Sequence, residues 1–181
     1  MKNAHALIRI VEFMKSDKLE NYVIAGLDSS LLKNGTVRYF ENSRDHQDTI
    51  TPHSHRFDFA CLVLAGSVAN SLWNATNESN GDFFEETQLI YDGGPGQYKR
   101  KVEGRNFYRP VTTIHEAGDV YAMHADAIHS IKFSRGAKVL FFEGPTMLDR
   151  SLIIEPVVNG RVIPTLETRD YMFLTGGADD A

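Results

Sequence analysis

Two histidines one residue apart, His53 and His55 in TPHSHRFDFACLVLAGSV (51–68), are the side chains best placed for chemistry. On an extended segment, residues two apart face the same side. Two imidazoles so placed could bind one cation from adjacent corners. His129, in IHSIKF (128–133), is the third candidate. It shares parity with Ile131 and Phe133, so it faces the core. A lone inward histidine also has a plain structural role, hydrogen-bonded to backbone. Three neutral imidazoles meeting at one point would instead form a metal site with open coordination positions. Asp58 is a possible fourth ligand if a bulge at HRFD turned it inward. Otherwise it pairs with Arg56 or another cation, or steadies the second nitrogen of a ligand histidine. His5, His46 and His115 read as surface residues.

These residues need a scaffold. Leu7, Ile10, Val11 and Met14 recur at helical spacing, and Asp17 with Glu20 resembles a capping box for a second helix carrying Leu19, Tyr22, Val23 and Leu27. The expected N-terminal helical segment therefore spans 1–35 and ends at KNG. From 36 to 175 the pattern is short β runs separated by turn residues. The expected strands are 36–41, 58–73, 86–91, 97–102, 108–115, 119–123, 128–133, 137–143 and 151–158. Such a series predicts an all-β sandwich or barrel of antiparallel neighbours in one domain, which 181 residues can fill. The tail TGGADDA is expected to fray.

The two histidine segments together resemble the paired motifs of the cupin superfamily. His53, His55 and Gly66 fit the first motif, with Phe59 where a glutamate usually stands. In GDVYAMHADAIHS, Gly118 and His129 fit the second, with His124, Asp126 and Phe133 replacing its proline, glycine and asparagine. The resemblance implies a double-stranded β-helix (jelly-roll) barrel with His53, His55 and His129 converging on one divalent metal. The missing glutamate is similar to the three-histidine pattern of cysteine dioxygenase and other thiol dioxygenases. It implies Fe(II), with Zn, Mn or Ni as alternatives. That branch carries a serine, a histidine and a tyrosine on the strand after the third ligand; AKVLFFEGP offers Val139, Phe141 and Glu143 instead.

Three neutral ligands leave a divalent charge uncompensated, which favours a small anionic substrate. Arg38 and Arg56 are candidates for gripping its carboxylate or phosphate, and Glu143 for an acid or base at the pocket rim. Each also has a solvated, structural reading. Lys99, Arg100, Lys101, Arg105 and Arg109 cluster in what reads as a hairpin. The net charge of −5 argues against nucleic acid or an anionic membrane as partner. No secretion signal or membrane span is read, so a cytoplasmic protein is expected, and cupin resemblance adds a homodimer. The single cysteine, Cys61, lies in an apolar run and reads as a buried thiol. The leading expectation is an Fe(II) dioxygenase. A non-redox isomerase, epimerase or lyase and a non-catalytic metal- or ligand-binding cupin are the alternatives.

Overall fold

Antiparallel strands dominate the computed structural model, which describes residues 2–22, 24–32, 36–45, 49–91 and 98–163, with the backbone alone at 2–5 and 17. Val23, the KNG segment, His46, the His5 side chain and the chain from 164 onward lie outside what is described.

Among the described residues one helix, α1 (Lys2–Met14), precedes twelve strands. β1 (Lys15–Leu19), β2 (Leu27–Leu32), β3 (Val37–Asn42), β4 (Phe59–Ala65), β5 (Ser67–Thr76) and β6 (Asp82–Ile90) come first. β7 (Lys99–Glu116), β8 (Val120–Met123), β9 (His129–Phe133), β10 (Lys138–Glu143), β11 (Arg150–Val158) and β12 (Arg161–Val162) follow. They form two six-stranded sheets, ordered β1-β2-β3-β10-β4-β8 and β12-β11-β6-β7-β5-β9. The all-β expectation is met by two facing sheets; among the described residues no continuous ladder joins the two into a closed barrel.

Three elements differ from the sequence reading. The expected second helix is absent: Lys15–Leu19 instead pairs with β2. Asn21 (φ 52°) and Gly26 (φ 84°) take left-handed conformations that no α-helix continues through. Between them the Tyr22 amide donates to the Leu27 carbonyl at 2.6 Å, closing the connection into a tight loop. Leu19, Tyr22 and Leu27 therefore share no helical face. The run expected over 58–73 breaks at Gly66, where φ is 66° and a Cβ would stand 2.8 Å from the Ala137 Cα. There the chain leaves the first sheet and enters the second.

The expected hairpin around EGRN is one strand, β7, of 18 residues. Its first half pairs with β6 and its second half with β5, so partners on both sides satisfy the backbone. A bulge opposite Glu86 and Thr87 absorbs the turn residues. The basic cluster is largely matched by acids: Arg100–Glu155 at 3.1 Å, Lys101–Glu103 at 2.7 Å and Arg105–Glu85 at 3.0 Å.

The main core lies between the sheets. Phe59, Cys61, Val63 and Val139 come from the first, and Val68, Ile131 and Phe133 from the second. Helix α1 covers the other face of the first sheet through Leu7, Ile8, Val11 and Met14, against Leu32, Val37, Tyr39, Leu62, Leu64 and Leu140. The expected stripe holds at Leu7, Val11 and Met14, with Ile8 in place of Ile10, which is 55% exposed. Among the described residues no helix is long and apolar enough to cross a membrane.

Candidate metal centre

His53 and His55 do not open a strand. They sit in the connection between β3 and β4, threaded between elements of the second sheet. His53 bridges both His129 on β9 and Ile153 on β11, which lie towards opposite ends of that sheet. The amides of His53 and His129 each donate to the other's carbonyl at 2.9 Å, and the His55 amide donates to Ala125 at 2.9 Å. Ser54 points away and is tied to β11: its amide donates to Leu152 O at 2.7 Å, and its hydroxyl accepts from Leu152 N at 2.8 Å. With the intervening residue fixed, the flanking imidazoles project together.

The three imidazoles converge. Their ligating atoms lie within 4.8 Å of one another, and all three residues are buried. His55 Nε2 is 3.0 Å from His129 Nε2. Two nitrogens about 2.1 Å from an ion and subtending a right angle would be about 3.0 Å apart, so this pair is already at ligand spacing. His53 Nδ1 donates to the Thr51 carbonyl at 2.7 Å, and His129 Nδ1 donates to Asn70 Oδ1 at 2.9 Å. Each bond fixes the tautomer that leaves Nε2 as a lone pair toward the cluster. His55 Nδ1 is buried without a protein partner. Phe57, Phe59 and Phe141 instead set that ring, with centroids 5.4, 4.7 and 6.0 Å away.

Burial lowers the His53 pKa to about 4. Burial, then the charges of neighbouring histidines, holds His55 and His129 well below the ordinary imidazole value. All three are therefore neutral near pH 7, the form in which imidazole binds metal. A buried, uncharged set of three nitrogens suits a divalent ion of the zinc, iron or nickel kind.

A cavity of about 50 Å³ adjoins the cluster, walled by Phe40, Phe59, Phe133, Phe141, Ile50 and Ile131. Arg38 and Glu143 also line it, joined by a bond from Arg38 Nε to Glu143 Oε1 of 3.2 Å. These two candidates are together in the cavity, each already engaged by the other. Arg56 is not in its lining; its guanidinium lies 4.1 Å from the Tyr91 ring centre. Asp58 is outside the histidine cluster. One carboxylate oxygen accepts from the Ala125 amide at 2.8 Å and the other lies 3.7 Å from His124 Nδ1. Because Ala125 in turn accepts from the His55 amide, Asp58 braces the loop that positions His55.

Sequence reasoning missed Asn70, Tyr121 and the position of His115. Asn70 carries the parity of Val68, a core residue of β5, and pairs with Ile131 of β9. A polar residue at a core parity was the available signal. His115, expected at the surface, stacks on Tyr121 with centroids 4.2 Å apart.

No protein-family profile matches the sequence, and no curated protein sequence does. Among solved structures, the chain is similar to the Drosophila melanogaster CENP-C cupin domain, at 10% identity and a TM-score of 0.42, covering 80% of this chain and 99% of that one. It is similar to hydroxypropylphosphonic acid epoxidase from S. wedmorenis at 11% identity and a TM-score of 0.41, covering 71% and 55%. A third similarity is to hydroquinone 1,2-dioxygenase from Sphingomonas sp. TTNP3, at 15% identity and a TM-score of 0.32, covering 64% and 65%.

Proposed function

We propose that this chain is a metal-dependent cupin, an Fe(II) dioxygenase of the thiol-dioxygenase type acting on a small anionic substrate. The observation that carries the reading is the convergence of three buried, neutral imidazoles, with no carboxylate joining them among the described residues. Bound by His53, His55 and His129, the ion would supply the redox chemistry and an uncompensated positive charge facing the cavity. Phe59, Phe133 and Phe141 keep that face dry. Thr51 and Asn70 hold two of the ligand rings in their binding tautomers. Arg38 is available to a substrate carboxylate only in exchange for Glu143, so that exchange orients the anion and releases a carboxylate at the cavity edge. The same reading makes the protein a cytoplasmic homodimer without nucleic-acid or membrane partners.

One observation favours a second reading. The cavity of about 50 Å³ has room for an ion and a few waters, far below the ~300 Å³ of an ordinary small-molecule site. A cupin that binds metal without catalysis would need no more space. Metal analysis of native protein beside the His53→Ala, His55→Ala and His129→Ala variants, then oxygen uptake with a panel of small thiols, separates the readings. Iron with thiol-dependent oxygen uptake supports the dioxygenase. Metal without turnover supports the binding protein, and turnover without oxygen supports a non-redox enzyme. Wild-type metal content in all three variants would end the metal reading.

A further inference from the structure

The cavity is lined by a hydroxyl whose protein partner is a thiol. Tyr121, on β8, lines the space beside the three histidines and is 8% exposed. Its hydroxyl is buried and meets the Cys61 thiol, a weak partner; among the described residues it makes no hydrogen bond to nitrogen or oxygen. Among the described residues, this oxygen and His55 Nδ1 are the buried cavity-lining side-chain atoms that no nitrogen or oxygen partners. A thiol meets that donor only weakly, and a buried group left unmatched costs about 1–3 kcal/mol, so its place in a cavity suits a better acceptor that arrives from outside the chain.

The tyrosine is also held in place. Register sets it directly across from Cys61 on β4, and the His115 ring stacks on it at 4.2 Å with an interplanar angle of 16°. The Cys61 thiol is a poor acceptor. Burial pushes that thiol up to about 12 and the Tyr121 phenol well above its ordinary value, so both keep their protons. The phenol is thus a fixed donor lining the same cavity as a cluster whose nitrogens, in two of three rings, present lone pairs. Arg38 and Glu143 are committed to each other.

We infer that Tyr121 donates a hydrogen bond from its hydroxyl to the small anion or oxygen ligand that occupies the open face of the metal held by His53, His55 and His129. The inference rests on the metal reading above and adds to it a binding residue on the opposite sheet. It makes Tyr121 selective among small ligands. An acceptor anion such as azide gains the bond, whereas a soft, weakly accepting one such as iodide does not.

The test uses Co(II)-loaded protein and its visible spectrum. Tyr121→Phe removes the hydroxyl and keeps the ring. Azide binding is expected to weaken about five-fold, the size of one hydrogen bond, with iodide binding and Co(II) affinity unchanged. The metal-free variant is expected to melt close to the wild-type temperature, because only a weak contact with the Cys61 thiol is lost. An unchanged azide affinity would overturn the inference. So would a melting temperature several degrees lower, which would show the hydroxyl already paired inside the protein. If the wild type takes up no Co(II), the metal reading itself fails and this inference goes with it.

Discussion

The two walls of the cavity hold their polar groups in opposite ways. On the wall built from the second sheet, His129 is tied through Nδ1 to Asn70, and His53, bridged to that sheet, is tied to Thr51. These rings have one orientation and one tautomer before any ion arrives. On the wall built from the first sheet, the neighbours of His55 are rings: Phe59 and Phe141, with Phe57 beside them. Its Nδ1 has no acceptor. With His129 Nε2 already a lone pair, the 3.0 Å contact makes His55 Nε2 the donor in the metal-free protein. To offer Nε2 to an ion, His55 alone would have to carry its proton on Nδ1, which nothing among the described residues receives. One wall is built for coordination and the other for shape. Metal affinity should thus depend on hydrogen bonds on one side and on packing on the other.

The largest effect comes from removing ligands. Each of His53→Ala, His55→Ala and His129→Ala is expected to reduce bound metal from about one ion per chain to less than about one-tenth, measured by elemental analysis after dialysis. Near-native content in His55→Ala alone would show that only the preorganised wall binds.

Next is the pH response of the metal-free protein. The folded-state pKa of His53 is about 4, against an ordinary 6.5. Between those values the unfolded chain binds more protons than the folded one, so stability falls as pH is lowered through that window. His53 alone accounts for about 3 kcal/mol by pH 4, and His55 and His129 act in the same direction. Urea midpoints should drop steadily from pH 7 to pH 5. Loaded protein should resist the drop, because the ion competes with the proton. A flat midpoint in the metal-free protein would mean that the histidines are not buried as described.

A paired comparison tests the walls directly. Asn70→Leu removes the acceptor for His129 and is expected to weaken metal binding about 10- to 100-fold. Phe59→Leu alters the other wall and should cost about 1 kcal/mol of stability through lost packing, with metal affinity within a few-fold of native. Equal effects on affinity would erase the distinction between the walls.

What was legible in the sequence follows the same division. The histidines could be found because strand parity and spacing are local. His129 shares the parity of Ile131 and Phe133, and one residue separates His53 from His55. Strand content was legible for the same reason. Partners set by distant pairing were not. Nothing local to EGRN says that the chain runs straight on through a bulge, because that outcome depends on β5 and β6 flanking β7. The helical spacing of Leu19, Tyr22 and Leu27 misled because two left-handed residues and pairing of β1 to β2 override it. Arg38 and Glu143 were each identified singly, yet their ion pair spans 105 residues of sequence.

That pair supplies the smallest effect and the finest test of the comparison. Arg38 and Glu143 are partly shielded, with side chains 11% and 21% exposed, so their interaction exceeds that of an ordinary surface pair without reaching that of a fully buried one. A cycle of Arg38→Gln, Glu143→Gln and the double variant should give a coupling of about 1 kcal/mol in urea unfolding. None of the three should alter metal affinity, since the two charged groups are engaged with each other at 3.2 Å. Glu143→Gln loosens the hold on the guanidinium and should tighten binding of a small carboxylate to the loaded protein. Arg38→Gln should abolish that gain. If both variants bound the carboxylate as the native protein does, the cavity would recognise its ligand through the metal and Tyr121 alone, and the first-sheet charges would serve only the fold.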